Sequence, residues 1–121
     1  MALRILLVDD HALVREGIKQ LLVGDYSVCG EASDGLEAIQ KALELKPDLV
    51  LMDISMPNMN GIEATKQIRK QAPDITIILL SMHDSLQIAQ EGKRAGANAY
   101  LVKSSSAAEL QKTIKSVMGL L

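Results

Sequence analysis

Three carboxylates, a hydroxyl and an ammonium stand where short apolar runs give out. Asp9 and Asp10 follow Ile5-Leu6-Leu7-Val8, and Asp53 follows Leu49-Val50-Leu51-Met52. Ser81 follows Ile77-Ile78-Leu79-Leu80, and Lys103 follows Ala99-Tyr100-Leu101-Val102. Brought together, the carboxylates would repel, because two unit charges 4 Å apart interact by about 4 kcal/mol at an effective dielectric near 20. Lys103 offsets part of that. A hard divalent cation offsets more, and a set of oxygen ligands with few carboxylates points to Mg²⁺. Such an ion keeps positions open for water or a phosphate oxygen. With a lysine and a hydroxyl beside it, the set has the parts to stabilise a phosphoryl group bonded to one carboxylate.

Only the fold can make these residues converge. Apolar runs recur at Arg4–Val8, Val28–Ala32, Leu49–Asp53, Ile75–Ser81 and Ala99–Val102. Each is too short for a helix, and several are continuous, which suits strands buried on both faces. Between them lie stretches of helical spacing: Leu13, Val14, Ile18, Leu21 and Leu22; then Leu36, Ile39, Ala42 and Leu43; then Ile62, Thr65 and Ile68, with Arg69 opening a basic face. Ser85 to Ala95 is more polar, and Leu110, Ile114, Val117 and Met118 mark a last helix. Gly24-Asp25, Lys46-Pro47-Asp48, Ala72-Pro73-Asp74 and Gly96 read as helix stops, and Asp34-Gly35 as a start. Ser106 with Glu109 makes a capping-box pattern. Strand–helix alternation with short connections predicts right-handed βαβ units. The expected architecture is α/β, a doubly wound five-stranded parallel sheet, with residues 1–121 as one domain. Sheets of this kind bind ligands at the carboxyl ends of their strands, where the five polar residues fall.

Composition removes several function classes. The chain has 121 residues, 13 basic and 15 acidic, for a formal charge of −2. Leu, Ile and Val make up 36 of them, enough for a packed core. Phe and Trp are absent, which excludes aromatic platforms for single-stranded nucleic acid. Basic residues are adjacent only at Arg69-Lys70 and Lys93-Arg94, so no basic stripe for DNA exists. No apolar run exceeds four residues, far from the roughly 20 that span a bilayer, and the N-terminus has no secretory pattern. The single cysteine, Cys29, excludes an internal disulfide and fits a reducing cytoplasm. It reads as a small buried hydrophobe in its strand.

Taken together, Leu7-Val8-Asp9-Asp10-His11, Met52-Asp53-Ile54-Ser55-Met56-Pro57 with Gly61, Leu80-Ser81 and Lys103 resemble a response-regulator receiver domain of two-component systems. The resemblance covers essentially the whole chain. His11, Arg15 and Gly17 after the acidic pair, and Ser81-Met82-His83-Asp84, resemble the FixJ/NarL (LuxR-type) subgroup, in which a receiver precedes a helix-turn-helix DNA-binding domain. The resemblance implies a flavodoxin-like (βα)5 fold with strand order 2-1-3-4-5. It implies that Asp53 accepts a phosphoryl group from the phosphohistidine of a sensor histidine kinase. Asp10 would bind Mg²⁺ directly and Asp9 mainly through water, with Asp53 and the Ser55 carbonyl completing the metal's protein ligands. Ser81 would donate to a phosphoryl oxygen and Lys103 would pair with another. Tyr100 matches the family's aromatic switch position, and Pro57 and Gly61 would shape the loop after Asp53. The implied role is a phosphorylation-dependent signalling switch, an enzyme only toward its own phosphorylation and dephosphorylation. Pairing with a second copy on phosphorylation, and transcription control through a DNA-binding domain outside this chain, belong to the same expectation. This segment alone is expected to touch neither nucleic acid nor membrane.

Plainer readings exist for each residue singly. Asp at a strand end forms turns or caps helices. Ser81 could cap, Lys103 could be solvated, and Tyr100 could be core. His11 could cap the first helix or lie near the metal, and His83 reads as a rim residue. Ser104 stands where many receivers have proline after the site lysine. A cis bond there would cost about 2.5–4 kcal/mol, against about 0.5–1 before proline, so none is assumed. Two other function classes fit less well. A phosphatase or phosphotransferase with an aspartyl nucleophile commonly needs D-x-D on the first strand, whereas Asp9 and Asp10 are adjacent and the best nucleophile follows the third. A flavin mononucleotide carrier needs a phosphate loop where Asp9-Asp10 would repel phosphate.

Overall fold

The computed structural model describes residues 2–22, 24 and 26–120. Five strands and five helices alternate among them: β1 (Leu3–Val8), α1 (Ala12–Leu21), β2 (Tyr26–Ala32), α2 (Gly35–Leu45), β3 (Leu49–Asp53), α3 (Gly61–Gln71), β4 (Thr76–Ser81), α4 (Leu86–Ala95), β5 (Ala99–Val102) and α5 (Ala107–Val117). All strand pairs are parallel, and the sheet runs β2-β1-β3-β4-β5. This is the doubly wound flavodoxin-like arrangement. The reversal of strand order lies between β1 and β3, whose carboxyl ends carry Asp9 and Asp53.

The continuous apolar runs become the central strands because each of their two faces meets helices. On one face Leu6, Val8, Val50, Met52, Ile77 and Leu79 pack with Ala38, Ala42, Ala64 and Ile68 of α2 and α3. On the other, Ile5, Leu7, Leu49, Leu51, Ile78 and Leu80 pack with Leu110 and Ile114 of α5. β3 is buried at every position. Side-chain caps start most helices: Asp34 accepts the Glu37 N–H at 2.8 Å, Asn60 that of Glu63 at 2.9 Å, Ser85 that of Ile88 at 3.2 Å and Ser106 that of Glu109 at 3.2 Å. At Ser106 only this arm of the capping box forms among the described residues.

Three local expectations are corrected. Cys29 is half-buried, not buried. The β1–β2 register passes from Ile5–Val28 to Leu6–Gly30, so Cys29 is the extra residue of a bulge on an edge strand. α1 contains no fully buried residue. Ile18 and, just past the helix, the C-cap residue Leu22 pack into the core, while Leu13 is 87% exposed, because each successive side chain turns about 100° round a helix. β2 begins at Tyr26 and β4 at Thr76, so their starts differ slightly from the apolar runs. Gly24 has a φ of 101°, as a helix-stop glycine should. Asp25, the other half of that expected stop, lies outside the described residues. So do residues 1 and 121 of the expected domain span. The Lys103–Ser104 peptide is trans. Among the described residues no helix is long and apolar enough to cross a membrane.

Candidate functional site

The carboxyl edge of the sheet gathers the polar residues that the strands leave behind. Asp9, Asp53 and Ser81 are 1%, 2% and 5% exposed, at the ends of β1, β3 and β4. One device shapes all three loops. Asp9 Oδ1 accepts the His11 N–H at 2.9 Å, Asp53 Oδ1 accepts the Ser55 N–H at 3.2 Å, and Ser81 Oγ accepts the His83 N–H at 3.1 Å. Each side chain thus folds onto the backbone two residues ahead, a turn for which Asp and Ser are suited. The turn-forming reading of these residues therefore holds, and it is compatible with the functional one. One carboxylate oxygen holds the loop and the other is left to the site.

Lys103 occupies the space between those free oxygens. Its Nζ lies 2.8 Å from Asp9 Oδ2 and 3.2 Å from Asp53 Oδ2, with the lysine side chain 14% exposed. Its backbone N–H donates to the Ser81 carbonyl at 2.7 Å, which ties the lysine to the end of β4. Burial works against charge on Lys103, but the bond to Asp9 and the fields of Asp53 and Asp9 outweigh it and hold its pKa above the usual value. Burial also pushes the Asp53 carboxyl above the usual carboxylate range. Lys103 pulls it down and the Asp9 charge adds to the push. One ammonium shared by two buried carboxylates does not satisfy both.

Asp10 lies a little further out. Its Oδ1 is buried without a hydrogen-bond partner among the described residues, although His11 Nδ1 comes within 3.0 Å. Donor atoms of Asp9, Asp10 and His11 all lie within 4.8 Å of one another. An unpartnered carboxylate oxygen beside a second carboxylate is the donor set a hard divalent cation takes, so these residues fit one. Asp53 is not in that tight group; it joins the site through Lys103. Ser55 is exposed at the start of the following loop. His11 stands at the N-cap position of α1 but makes no side-chain cap bond.

Gly61 matters to the nucleophile candidate. A Cβ there would stand 2.3 Å from the Asp53 carbonyl oxygen, so only glycine lets α3 start this close to the strand end. Tyr100 does not lie directly beside Ser81: it pairs with Leu79, and Ser81 pairs with Val102. Its ring packs on the core, while its hydroxyl donates to the His83 carbonyl and accepts the Ser85 N–H at 3.3 Å. Tyr100 is thus both core and a tie to the loop after Ser81. His83 sits at the exposed rim, its ring joining no ion pair among the described residues.

Sequence reasoning passed over Glu31. It lies on β2 and bonds Arg15 Nε at 2.8 Å and Lys19 Nζ at 2.7 Å. The pairs hold the Glu31 carboxyl below the usual range, chiefly through Lys19 and then Arg15. A signal was present: Arg15 and Lys19 are like charges four apart on one helix, an arrangement that calls for an acidic partner.

Comparisons with known proteins match both the sequence and the fold. A family model described as the response regulator receiver domain matches residues 5–115. The response regulator protein VraR of Staphylococcus aureus strain Mu3 is 41% identical over 117 residues, covering 95% of this chain and 56% of that protein. The chain thus spans about half the length of such relatives. Among solved structures, a LuxR-family two-component response regulator from Aurantimonas sp. SI85-9A1 superposes with a TM-score of 0.94 at 40% identity, covering 98% of this chain and 86% of that one. The response regulator domain of Thermotoga maritima CheB gives a TM-score of 0.91 at 40% identity, covering 98% of each chain.

Proposed function

This chain belongs to the response regulator receiver domain family, and on that premise we propose that it is a phosphorylation switch whose phosphoacceptor is Asp53. The observation that carries the assignment is Asp53 Oδ2 facing a lysine from 3.2 Å in a buried pocket, with Oδ1 committed to the loop. An Asp53 carboxylate oxygen forms a P–O bond as the phosphorus–nitrogen bond of a kinase phosphohistidine breaks, and the imidazole leaves carrying a proton. Lys103 pairs with a phosphoryl oxygen, and Ser81 donates its O–H to another, its lone pairs remaining free for the His83 N–H. Asp9 and Asp10 hold Mg²⁺, with Asp53 and the Ser55 carbonyl completing its protein ligands. When bound, the ion supplies neutralisation of the phosphoryl charge.

The consequence spreads through β4 and β5. A new charge-assisted bond to Ser81 is worth roughly 1.5–3 kcal/mol. Moving toward the phosphoryl group to donate it draws along the loop that the Ser81–His83 turn and Tyr100 hold. That sum changes a two-state equilibrium by about 10- to 150-fold. The partner that supplies the phosphoryl group is a sensor histidine kinase in the cytoplasm. The LuxR-type relatives support an output through transcription, carried by a DNA-binding domain outside these 121 residues.

The direct test is intact mass after incubation with acetyl phosphate. A gain of about 80 Da, one phosphoryl group, is expected with Mg²⁺ and not with chelator, and it disappears in Asp53→Asn. Unchanged modification of Asp53→Asn, or repeated turnover of a phosphomonoester, overturns the reading.

A further inference from the structure

Arg15 is the residue of the acidic motif that the phosphoacceptor chemistry leaves without a task. Its guanidinium reaches back along α1 and donates from Nη1 to the main-chain carbonyl of Asp9. That carbonyl and the Asp10 N–H belong to one peptide unit, so whatever grips the carbonyl sets the plane joining the two acidic residues. Asp9 is 1% exposed, and water has little access to its carbonyl. Other anchors are scarce on this side. α1 has no fully buried residue, no side-chain cap and no acid in its first turn. The guanidinium is itself held, with Nε donating to Glu31 Oε1 at 2.8 Å. Glu31 is fixed in turn by Lys19 at 2.7 Å and, through its backbone carbonyl, by the Lys41 ammonium.

We propose that Arg15 is a positioning residue of the acidic site: anchored by Glu31, it locks the Asp9–Asp10 peptide plane and so aims both carboxylates at the cation. This rests on the reading of Asp9 and Asp10 as Mg²⁺ ligands. The sign of the effect separates positioning from bystander charge. Removing a positive charge beside an acidic cluster would by itself tighten cation binding, whereas loss of positioning weakens it.

The experiment is a MgCl₂ titration of the 121-residue chain, followed by the amide NMR shifts of residues 9–11. Wild type shows saturable shifts. Arg15→Met raises the half-saturating Mg²⁺ roughly 10-fold, the scale on which outer partners of metal ligands act. Arg15→Lys, which keeps the charge and can still reach one acceptor, recovers part of the affinity. Glu31→Gln weakens binding less, and the double variant is no weaker than Arg15→Met alone, because both act through one guanidinium. Unchanged or tighter binding in folded Arg15→Met overturns the proposal. If circular dichroism shows Arg15→Met unfolded, Glu31→Gln decides, and an unshifted half-saturation there overturns it. No Mg²⁺ response in wild type would instead remove the ligand reading itself, and the proposal with it.

Discussion

Two cations sit at opposite ends of the sheet, and their surroundings could hardly differ more. At the amino ends of β4 and β5, Arg69 spends its guanidinium on neutral acceptors. It donates to Gly96 O at 3.1 and 2.7 Å, to Pro73 O at 2.7 Å, to Ile75 O at 2.6 Å and to Asn98 Oδ1 at 3.0 Å. That arrangement welds α3 to the loops before β4 and β5. Gly96 with its φ of 113° fits against the arginine stem, where a Cβ would come within 2.9 Å. Burial pulls the Arg69 pKa down and the field of Asp74 opposes it, but the planar fork is matched donor by donor. At the carboxyl ends, two buried carboxylates share one lysine, a carboxylate oxygen of the neighbouring Asp10 has no hydrogen-bond partner among the described residues, and Asp53 is pushed toward its neutral form. A cation matched by the main chain is structure. A cation outnumbered by buried carboxylates leaves a deficit of positive charge that a divalent metal ion can fill.

The comparison can be broken from either end. Arg69→Met is expected to cost the most, about 3 kcal/mol, because it strands several carbonyls at once. A urea unfolding curve checks this. Phosphorylation of the folded variant should remain, and a loss under about 1 kcal/mol would mean the clamp is ornamental. Gly61→Ala is next. The added methyl must push the Asp53 carbonyl, so a loss of about 2 kcal/mol is expected, together with slower phosphorylation from acetyl phosphate. Unaltered kinetics would show that the strand end tolerates the shift.

Asp53→Asn should go the other way and stabilise the metal-free protein at neutral pH by roughly 1 kcal/mol, or about 4 °C in Tm. The sign follows from the raised Asp53 pKa. A carboxyl harder to ionise when folded favours the fold below its unfolded pKa, and that support is lost as pH rises through the folded pKa. Asn has no such loss, so its advantage grows from acid to neutral pH and should vanish in acid. Thermal melts in chelator across that range decide it, and a variant less stable at pH 7 contradicts the account of the pocket. The smallest effect belongs to Glu31. Its pKa is lowered, so its ion pairs support the fold above the unfolded value and the support fades as pH falls through the folded one. Glu31→Gln should flatten that acid limb by less than about 1 kcal/mol, since the pairs are partly solvated. An acid limb of unchanged slope would place the stabilisation elsewhere.

Much of this was legible in the residues. The apolar runs located the five strands to within two residues, and Asp34, Asn60, Ser85 and Ser106 stand at helix starts with the side chains that caps require. Asp9, Asp10, Asp53, Ser81 and Lys103 could be placed on one edge because a parallel sheet sends every strand end the same way. The bulge at Cys29 was not legible, since an extra residue in a strand leaves no change in hydrophobic period that one cysteine could report. Nor was the exposure of Leu13: a helical pattern names a stripe and not its exact edge.

Local pattern alone therefore determined the elements, their order and the end of the sheet where charge collects, because periodicity, capping and chain direction act over a few residues. Pairings between side chains distant in sequence were decided only by the tertiary structure. Lys103 meets Asp9 across 94 positions, Arg69 meets Gly96 across 27, and Arg15 could have chosen any nearby acceptor before β2 brought Glu31 beside it. Such contacts depend on strand register, rotamer and burial together. Burial matters most, since it turns a modest attraction between charges in water into a fixed geometry.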